Sequence, residues 1–288
     1  MKECYYKVGD HVFVVEMESN EKVATSLRQY EPFVTERTEN VAFRLRLCSS
    51  PLNVDDFVLD IKQEDEGQEI LSGHVGENPC FQFFFNQQLR GVLLCSSDYR
   101  QGELYAEPIN LFAINNALMI MFALATAEKR TALFHSSVVS HQGKAYMFLG
   151  TSGTGKSTHS RLWLKYIEGT ELMNDDNPVV RIHDDGTIRV YGSPWSGKTP
   201  CYRNVTYPLG AFVMLEQAPQ NVIRRLGPLE AYAALMVSIS GMRWNPKLAE
   251  GIHETENLLV THAPIWHLDC LPDEEAARVC YNTIEFNA

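Results

Sequence analysis

Residues 150–158 have types and a spacing that suit the binding of a phosphate chain. They read GTSGTGKST and fit the Walker A pattern G-x-x-x-x-G-K-[ST], whose glycines let successive backbone N–H groups turn toward one anion. Lys156 offers a positive charge to the outer phosphates, and the Ser157 hydroxyl offers a ligand to Mg²⁺. The pattern therefore predicts a nucleotide bound with magnesium. The nine predicted nucleotide contacts are Gly150, Thr151, Ser152, Gly153, Thr154, Gly155, Lys156, Ser157 and Thr158.

The same pattern occurs a second time, at residues 192–199, which read GSPWSGKT. Here Pro194 and Trp195 stand where N–H groups should surround a phosphate, and proline has no N–H to donate. The first copy instead follows an apolar strand candidate, residues 145–149, and precedes a stretch with helical periodicity. We therefore interpret the first copy as the phosphate loop.

The strand before the loop is predicted to belong to a hairpin. Residues 133–140 and 144–149 are two strand candidates, and the His-Gln-Gly segment between them is typical of a tight turn. The loop strand would then have an antiparallel neighbour. Ordinary phosphate-loop enzymes use parallel strands that are joined through helices.

An acidic pair, Asp175 and Asp176, follows soon after the loop. The pair precedes Pro178 and a strand candidate at residues 179–182, so we expect it at a strand edge near the loop. One carboxylate would bind Mg²⁺ and the other would accept the proton of an attacking hydroxyl. We assign Asp176, with Ser157, to the metal and Asp175 to the proton; a plain turn is the alternative.

Two basic residues, Lys198 and Arg203, lie in a segment rich in proline and glycine. Such a loop can close over a nucleotide and neutralise the charge that develops during transfer, although a solvated loop is an equal alternative. His159 and Arg161, in the helix that should follow the phosphate loop, are expected on the surface.

The composition excludes several function classes. The net charge of −11 disfavours general binding to nucleic acid or to an anionic membrane. The seven cysteines form no Cys-x-x-Cys pair, so neither a disulfide framework nor a zinc site is indicated. The N-terminal residues do not resemble a secretory signal, and the longest apolar run, residues 117–125, is shorter than the ~20 residues that span a bilayer. We expect a cytoplasmic protein, and homo-oligomerisation stays open.

The predicted secondary structure changes in character once along the chain. Residues 1–108 contain short, alternating strand candidates and predict a β-rich accessory or substrate-facing domain. Residues 109–288 begin with an apolar helix and contain the phosphate loop, and we expect them to form the catalytic domain. The later part should hold strands at 209–215 and 265–268 and helices at 229–239 and 272–284. The fold class is therefore mixed, α/β or α+β.

Three features together resemble the catalytic domain of HPr kinase/phosphorylase. They are His135 before the hairpin, the GTSGTGKST loop, and the Asn174-Asp175-Asp176 run at short spacing, all within about 133–203. That family shares its fold with ATP-dependent phosphoenolpyruvate carboxykinases. The resemblance implies ATP in the loop, a functional role for His135 and for both aspartates, and a small, largely β-built core.

The sequence also departs from that family. HPr kinases usually have a glutamate after the loop serine, where this chain has Thr158, and their downstream E-I-R-G signature is missing here. We therefore expect a divergent relative, an ATP- and Mg²⁺-dependent phosphotransferase that acts on a hydroxyl of a protein serine or a small molecule. A nucleotide-binding regulatory protein without transfer activity, and a carboxykinase-like lyase, are the alternatives.

Overall fold

The computed structural model describes residues 1–18, 27–65, 67–106, 110–197 and 199–286. The chain is a strand-rich mixture of α and β structure with two mixed sheets, as the fold-class prediction states at its coarser level. Two compact units divide the chain, Met1–Thr126 and Ala127–Ala288. The sequence boundary at residue 108 falls before a helix that packs within the first of these units.

The described part of the first unit forms an eight-stranded sheet in the order β1-β2-β3-β8-β7-β6-β5-β4. Its strands are β1 Lys2–Val8, β2 His11–Met17, β3 Phe43–Cys48, β4 Val58–Asp65, β5 Gln68–Val75, β6 Asn78–Phe85, β7 Gln88–Cys95 and β8 Gln101–Tyr105. A short 3-10 helix, Arg28–Phe33, precedes β3. Strands β2, β3 and β8 run parallel to one another, and the other neighbours are antiparallel.

Helix α1, Leu111–Thr126, packs on this sheet. Phe122 of α1 lies edge-on to Phe13, which stacks on Phe43 at 4.9 Å between ring centres. Gly102 on β8 leaves room for the Met121 side chain, because a Cβ there would collide with the Met121 sulfur. Among the described residues, one helical stretch, Leu111–Lys129, is long and apolar enough to cross a membrane by length and composition, and 50% of it is buried inside the fold.

The described part of the second unit contains nine further strands, four α-helices and a short 3-10 helix, Ala127–Lys129. The strands are β9 Thr131–Leu133, β10 Ser136–His141, β11 Lys144–Leu149, β12 Glu171–Asp176, β13 Val179–Ile182, β14 Ile188–Tyr191, β15 Thr206–Gln217, β16 Val222–Arg225 and β17 Ile265–Cys270. The helices are α2 Lys156–Tyr166, α3 Pro228–Met236, α4 Pro246–His262 and α5 Glu274–Phe286. The sheet order is β12-β10-β11-β15-β14-β13-β9, with β17 beside β15 and β16 beside β17.

The predicted hairpin before the loop is confirmed. His141 pairs with Lys144, and the two turn residues, Gln142 and Gly143, have φ angles of 46° and 76°, as a two-residue turn between twisted strands requires. The first strand is shorter than predicted, because β9 ends at Leu133 and pairs with β13, whereas β10 begins three residues later. Strand β11 has β10 as an antiparallel neighbour and β15 as a parallel one.

Helix α2 is held against the sheet by an aromatic cluster. The fully buried Trp163 ring lies 5.1 Å from the Tyr146 ring and 5.5 Å from the Phe148 ring, both on β11. On its other side the indole meets Tyr281 of α5 edge-on. This packing fixes the orientation of α2, and with it the position of the first turn that follows the loop.

Candidate functional site

The glycine loop, residues 150–155, connects the end of β11 to the start of α2, which is the predicted order of strand, loop and helix. Gly150, Gly153 and Gly155 have φ angles of 146°, 81° and 107°, values that side-chain-bearing residues rarely adopt. Thr154 closes the turn by donating to the Thr151 carbonyl at 2.7 Å. The glycines are therefore required by the backbone conformation itself.

Lys156 lies on the inner side of this loop. Its exposed fraction is 9%, and its Nζ donates to the carbonyl oxygens of Gly150 at 3.0 Å and Thr151 at 3.2 Å. Burial lowers the pKa of Lys156, while the charges of Asp176 and Asp175 oppose that shift. The ammonium is thus held beside two carboxylates at the first turn of α2.

The loop is joined directly to the end of β12. The Ser157 hydroxyl donates to Oδ1 of Asp175 at 2.8 Å, and the exposed fraction of Asp175 is 8%. The topology explains this contact: β12 pairs antiparallel with β10, which pairs antiparallel with β11, so β11 and β12 run in the same direction. Their carboxyl ends meet at one edge of the sheet, as expected for a ligand site in such a sheet.

The neighbouring carboxylate has a different partner. Successive strand side chains point to opposite faces, and Oδ1 of Asp176 lies 3.8 Å from Nε2 of His135. The side chains of His135 and Asp176 are 46% and 37% exposed. The His135 backbone is fixed by its N–H, which donates to the Ser238 carbonyl at 2.8 Å. The structure therefore brings His135, Lys156, Ser157 and both aspartates to one site.

Residues of the second copy of the pattern form hydrogen bonds with the segment that carries the aspartate pair. Ser193 donates to the Asn177 carbonyl at 2.6 Å, and the buried Asn174 amide donates to the Ser193 hydroxyl at 3.2 Å. The Gly197 N–H donates to the Asp175 carbonyl at 2.9 Å. The next described element after this copy is strand β15 and not a helix, in agreement with the interpretation that it is not the phosphate loop.

Two predicted basic residues are not seen at the aspartate pair. Lys198 lies outside the described residues. Arg203 donates to the Leu172 carbonyl at 2.6 Å and to Oε2 of Glu171 at 2.7 Å, at the start of β12. Because a strand rises about 3.3 Å per residue, that position is about 13 Å from Asp176 along the strand. The structure gives Arg203 a structural contact at the sheet edge and does not bring it to the site.

The expectation that His159 lies on the surface is wrong, whereas Arg161 is exposed as expected. His159 is 2% exposed, and its Nε2 accepts a hydrogen bond of 3.1 Å from the Trp163 indole. Burial lowers the pKa of His159 to about 4. Positions 159 and 163 are four residues apart and lie on one face of α2, so the imidazole is buried with the Trp163 ring.

Sequence reasoning also missed Gln217, at the end of β15. Its side-chain amide donates to the loop carbonyls of Gly153 at 3.1 Å and Thr154 at 3.4 Å. Because β15 runs parallel to β11, the end of β15 with Gln217 lies beside the loop that follows β11. The only available signal was a polar residue directly after a long apolar strand candidate.

A comparison with protein-family models identifies the family. The model described as SynChlorMet cassette protein ScmC matches residues 102–261, more than half of the 288 residues. The chain belongs to the ScmC family. The matched region of this ScmC-family protein includes the glycine loop, both aspartates and His135. Among curated proteins, no sequence matches the chain significantly.

The ScmC-family protein has a second group of potential metal ligands, Glu216, His267 and Asp269. His267 Nε2 lies 3.1 Å from Asp269 and 3.4 Å from Glu216. Arg224 on β16 pairs with His267 across the sheet and interacts electrostatically with Asp269. An adjacent guanidinium opposes a bound cation, and the three side chains are explained as ion-pairing groups on adjacent strands.

Proposed function

We propose that this protein is an ATP- and Mg²⁺-dependent kinase that transfers the γ-phosphoryl group to a hydroxyl of a protein serine or a small molecule. The observation that carries the proposal is the 2.8 Å contact between Ser157 and Asp175, since it joins the glycine loop to a carboxylate at the end of a neighbouring strand. Phosphoryl transfer needs a phosphate-binding loop and a metal-binding carboxylate close to each other.

The residues of the loop fit a triphosphate. Glycines with positive φ open the loop backbone, α2 begins at Lys156 and directs its N-terminal dipole toward the loop, and the Lys156 ammonium lies against the loop carbonyls. When a phosphate binds there, Lys156 would donate to the phosphate oxygens instead of to these carbonyls. The charge and the donors needed for an anion are therefore present in a protein whose net charge is −11.

The geometry favours an exchange of the roles that the sequence analysis assigned to the two aspartates. Ser157 is half-buried and its hydrogen-bond partner Asp175 is nearly enclosed, which suits a pair that holds Mg²⁺. Magnesium, when bound, would neutralise charge on the β- and γ-phosphates. Asp176 is more exposed and lies beside His135, so it is the carboxylate that an incoming hydroxyl can reach.

In the proposed step, the acceptor oxygen forms a bond to the γ-phosphorus as the bond from that phosphorus to the β–γ bridging oxygen breaks. The hydroxyl proton passes to the Asp176 carboxylate, and ADP leaves with the bridging oxygen. His135, 3.8 Å from Asp176, would orient this carboxylate. Lys156 remains paired with the phosphates throughout.

Two further observations support the proposal. The resemblance to HPr kinase rests on the same residues that the structure brings together, His135, the glycine loop and the aspartate pair. All seven cysteines are free thiols, which accords with a reducing cytoplasm, where ATP is the abundant phosphoryl donor. The description of the ScmC family names no reaction.

The test measures transfer from γ-labelled ATP to a panel of serine peptides and small polyols. With ATP below its dissociation constant, Asp175→Asn and Asp176→Asn should each lower labelling at least about tenfold, whereas Asp184→Asn, in a fully exposed turn, should leave it unchanged. Labelling that survives both substitutions would overturn the proposal. ATP binding without labelling of any acceptor would favour the regulatory alternative instead.

A further inference from the structure

A cavity of about 510 Å³ opens beside the glycine loop. The loop and the first turn of α2 form one wall through Gly155 and Thr158. Leu162, Pro219, Leu271 and Pro272 supply apolar surface on the other sides. The volume lies within the range of small-molecule sites, which are roughly 300–1,000 Å³. A ligand whose phosphates contact the loop would therefore reach directly into this cavity.

The charge of the lining restricts what the cavity can hold. Among the described residues that line it, none carries a charged side chain at neutral pH, although the chain as a whole has a net charge of −11. An additional phosphate or a metal ion would find no counter-charge there. A flat, neutral group with hydrogen-bonding edges, such as a nucleobase, matches such a lining.

His159 lines the cavity, and its hydrogen bond fixes the charge state of the ring. The Trp163 indole N–H can only donate, so Nε2 of His159 must accept, and in the neutral ring Nδ1 then carries the proton. This Nδ1 is buried and has no hydrogen-bond partner among the described residues. The ring is therefore neutral and adds no charge to the lining of the cavity.

We propose that this cavity is the nucleoside subsite of the protein, in which the base packs against Leu162 and Leu271. The inference rests on the proposed function, because it needs the phosphates of the same nucleotide on the glycine loop. It adds that the base itself contributes to binding through contact with the apolar lining.

The first experiment compares the affinities of MgATP and magnesium triphosphate for the full chain by calorimetry. The wild type should bind MgATP at least about tenfold more tightly, a difference of about 1.4 kcal/mol. Ala218→Phe, which places a ring in the cavity, should remove this advantage and leave triphosphate binding unchanged. Leu164→Phe on the opposite face of α2 is the matched control and should retain the advantage.

The outcomes separate this inference from the proposed function. If Lys156→Ala leaves triphosphate binding unchanged, the loop does not bind phosphate and the proposed function fails. If both ligands depend on Lys156 but bind equally well, the proposed function stands and the nucleoside subsite is refuted.

A second experiment needs no substitution, because Cys270 also lines the cavity. Burial raises the pKa of its thiol to about 11, so alkylation by iodoacetamide at mildly alkaline pH should be slow but measurable. MgATP should protect Cys270 at least about fivefold, triphosphate should not, and the half-buried Cys48 of the first unit should react equally in both. Equal reactivity of Cys270 with either ligand would overturn the inference.

Discussion

The indole N–H of Trp163 donates a 3.1 Å hydrogen bond to Nε2 of His159, one helical turn away and fully inside the second unit. This contact favours the neutral form of the imidazole, because protonation of Nε2 would remove the acceptor of this hydrogen bond. Burial acts in the same direction and lowers the pKa of His159 to about 4. The charge state of one buried histidine is thereby linked to folding.

We expect His159 to make the protein less stable in acid. Its folded pKa of about 4 lies below the unfolded value of 6.5, so its contribution is fully present above about pH 6.5 and is lost as the pH falls toward 4. The loss should be about 2 kcal/mol between about pH 7 and pH 5. Urea unfolding of wild type and His159→Gln at both pH values measures it. The His159→Gln variant should not show this loss of stability between about pH 7 and pH 5, whereas the surface variant His262→Gln should show it as the wild type does.

Substitution of Asp175 should mainly weaken MgATP binding, whereas substitution of Asp176 should mainly slow phosphoryl transfer. Asp175→Asn removes the partner of Ser157 and should weaken MgATP binding at least about tenfold. Asp176→Asn should leave MgATP binding within about twofold and lower the rate of transfer by about 10²-fold or more. Equilibrium binding and single-turnover transfer separate the two effects. The opposite result would restore the assignment made from the sequence, with Asp176 on the metal.

The features predicted from the sequence are those encoded by neighbouring residues. Gln142 and Gly143 form the hairpin turn, and the spacing of the loop glycines indicates where the backbone has positive φ angles. The order of strand, loop and helix follows from a change of apolar periodicity at residue 150. Such signals need no partner elsewhere in the chain, and the hairpin and the glycine loop could therefore be located without a structure.

The features that were missed depend on distant partners. Helix α4 was not predicted because its inward face includes Gly251, Thr255 and Glu256, which do not look apolar. Glu256 is tolerated there because Arg243 pairs with it at 2.6 Å, and Gly251 is needed because the Ala127 carbonyl approaches closely. Arg203 was placed at the nucleotide because its partner, Glu171, lies on a strand whose position no local pattern shows.

Replacing Gly155 by alanine should impair both the loop and the fold. Its φ of 107° is unfavourable for any residue with a Cβ, while nothing lies near enough to collide with one, so the cost is conformational and about 1–2 kcal/mol. Gly169→Ala, with a φ of 79° outside the loop and equally open space, is the control. Both variants should lose stability in urea, but only Gly155→Ala should lose triphosphate affinity by calorimetry. A parallel loss of affinity in Gly169→Ala would contradict this expectation.

Arg203→Ala should test whether this residue serves the site or the sheet edge. Its contacts with the Leu172 carbonyl and Glu171 are partly exposed, so their loss should cost about 1 kcal/mol or less. The rate of transfer from MgATP should stay within about twofold of wild type, because the guanidinium lies about 13 Å along β12 from Asp176. Glu171→Gln, which removes the same ion pair from its other side, should lower stability by a similar amount. A drop in transfer of about tenfold or more in Arg203→Ala but not in Glu171→Gln would show that Arg203 moves to the phosphates during the reaction.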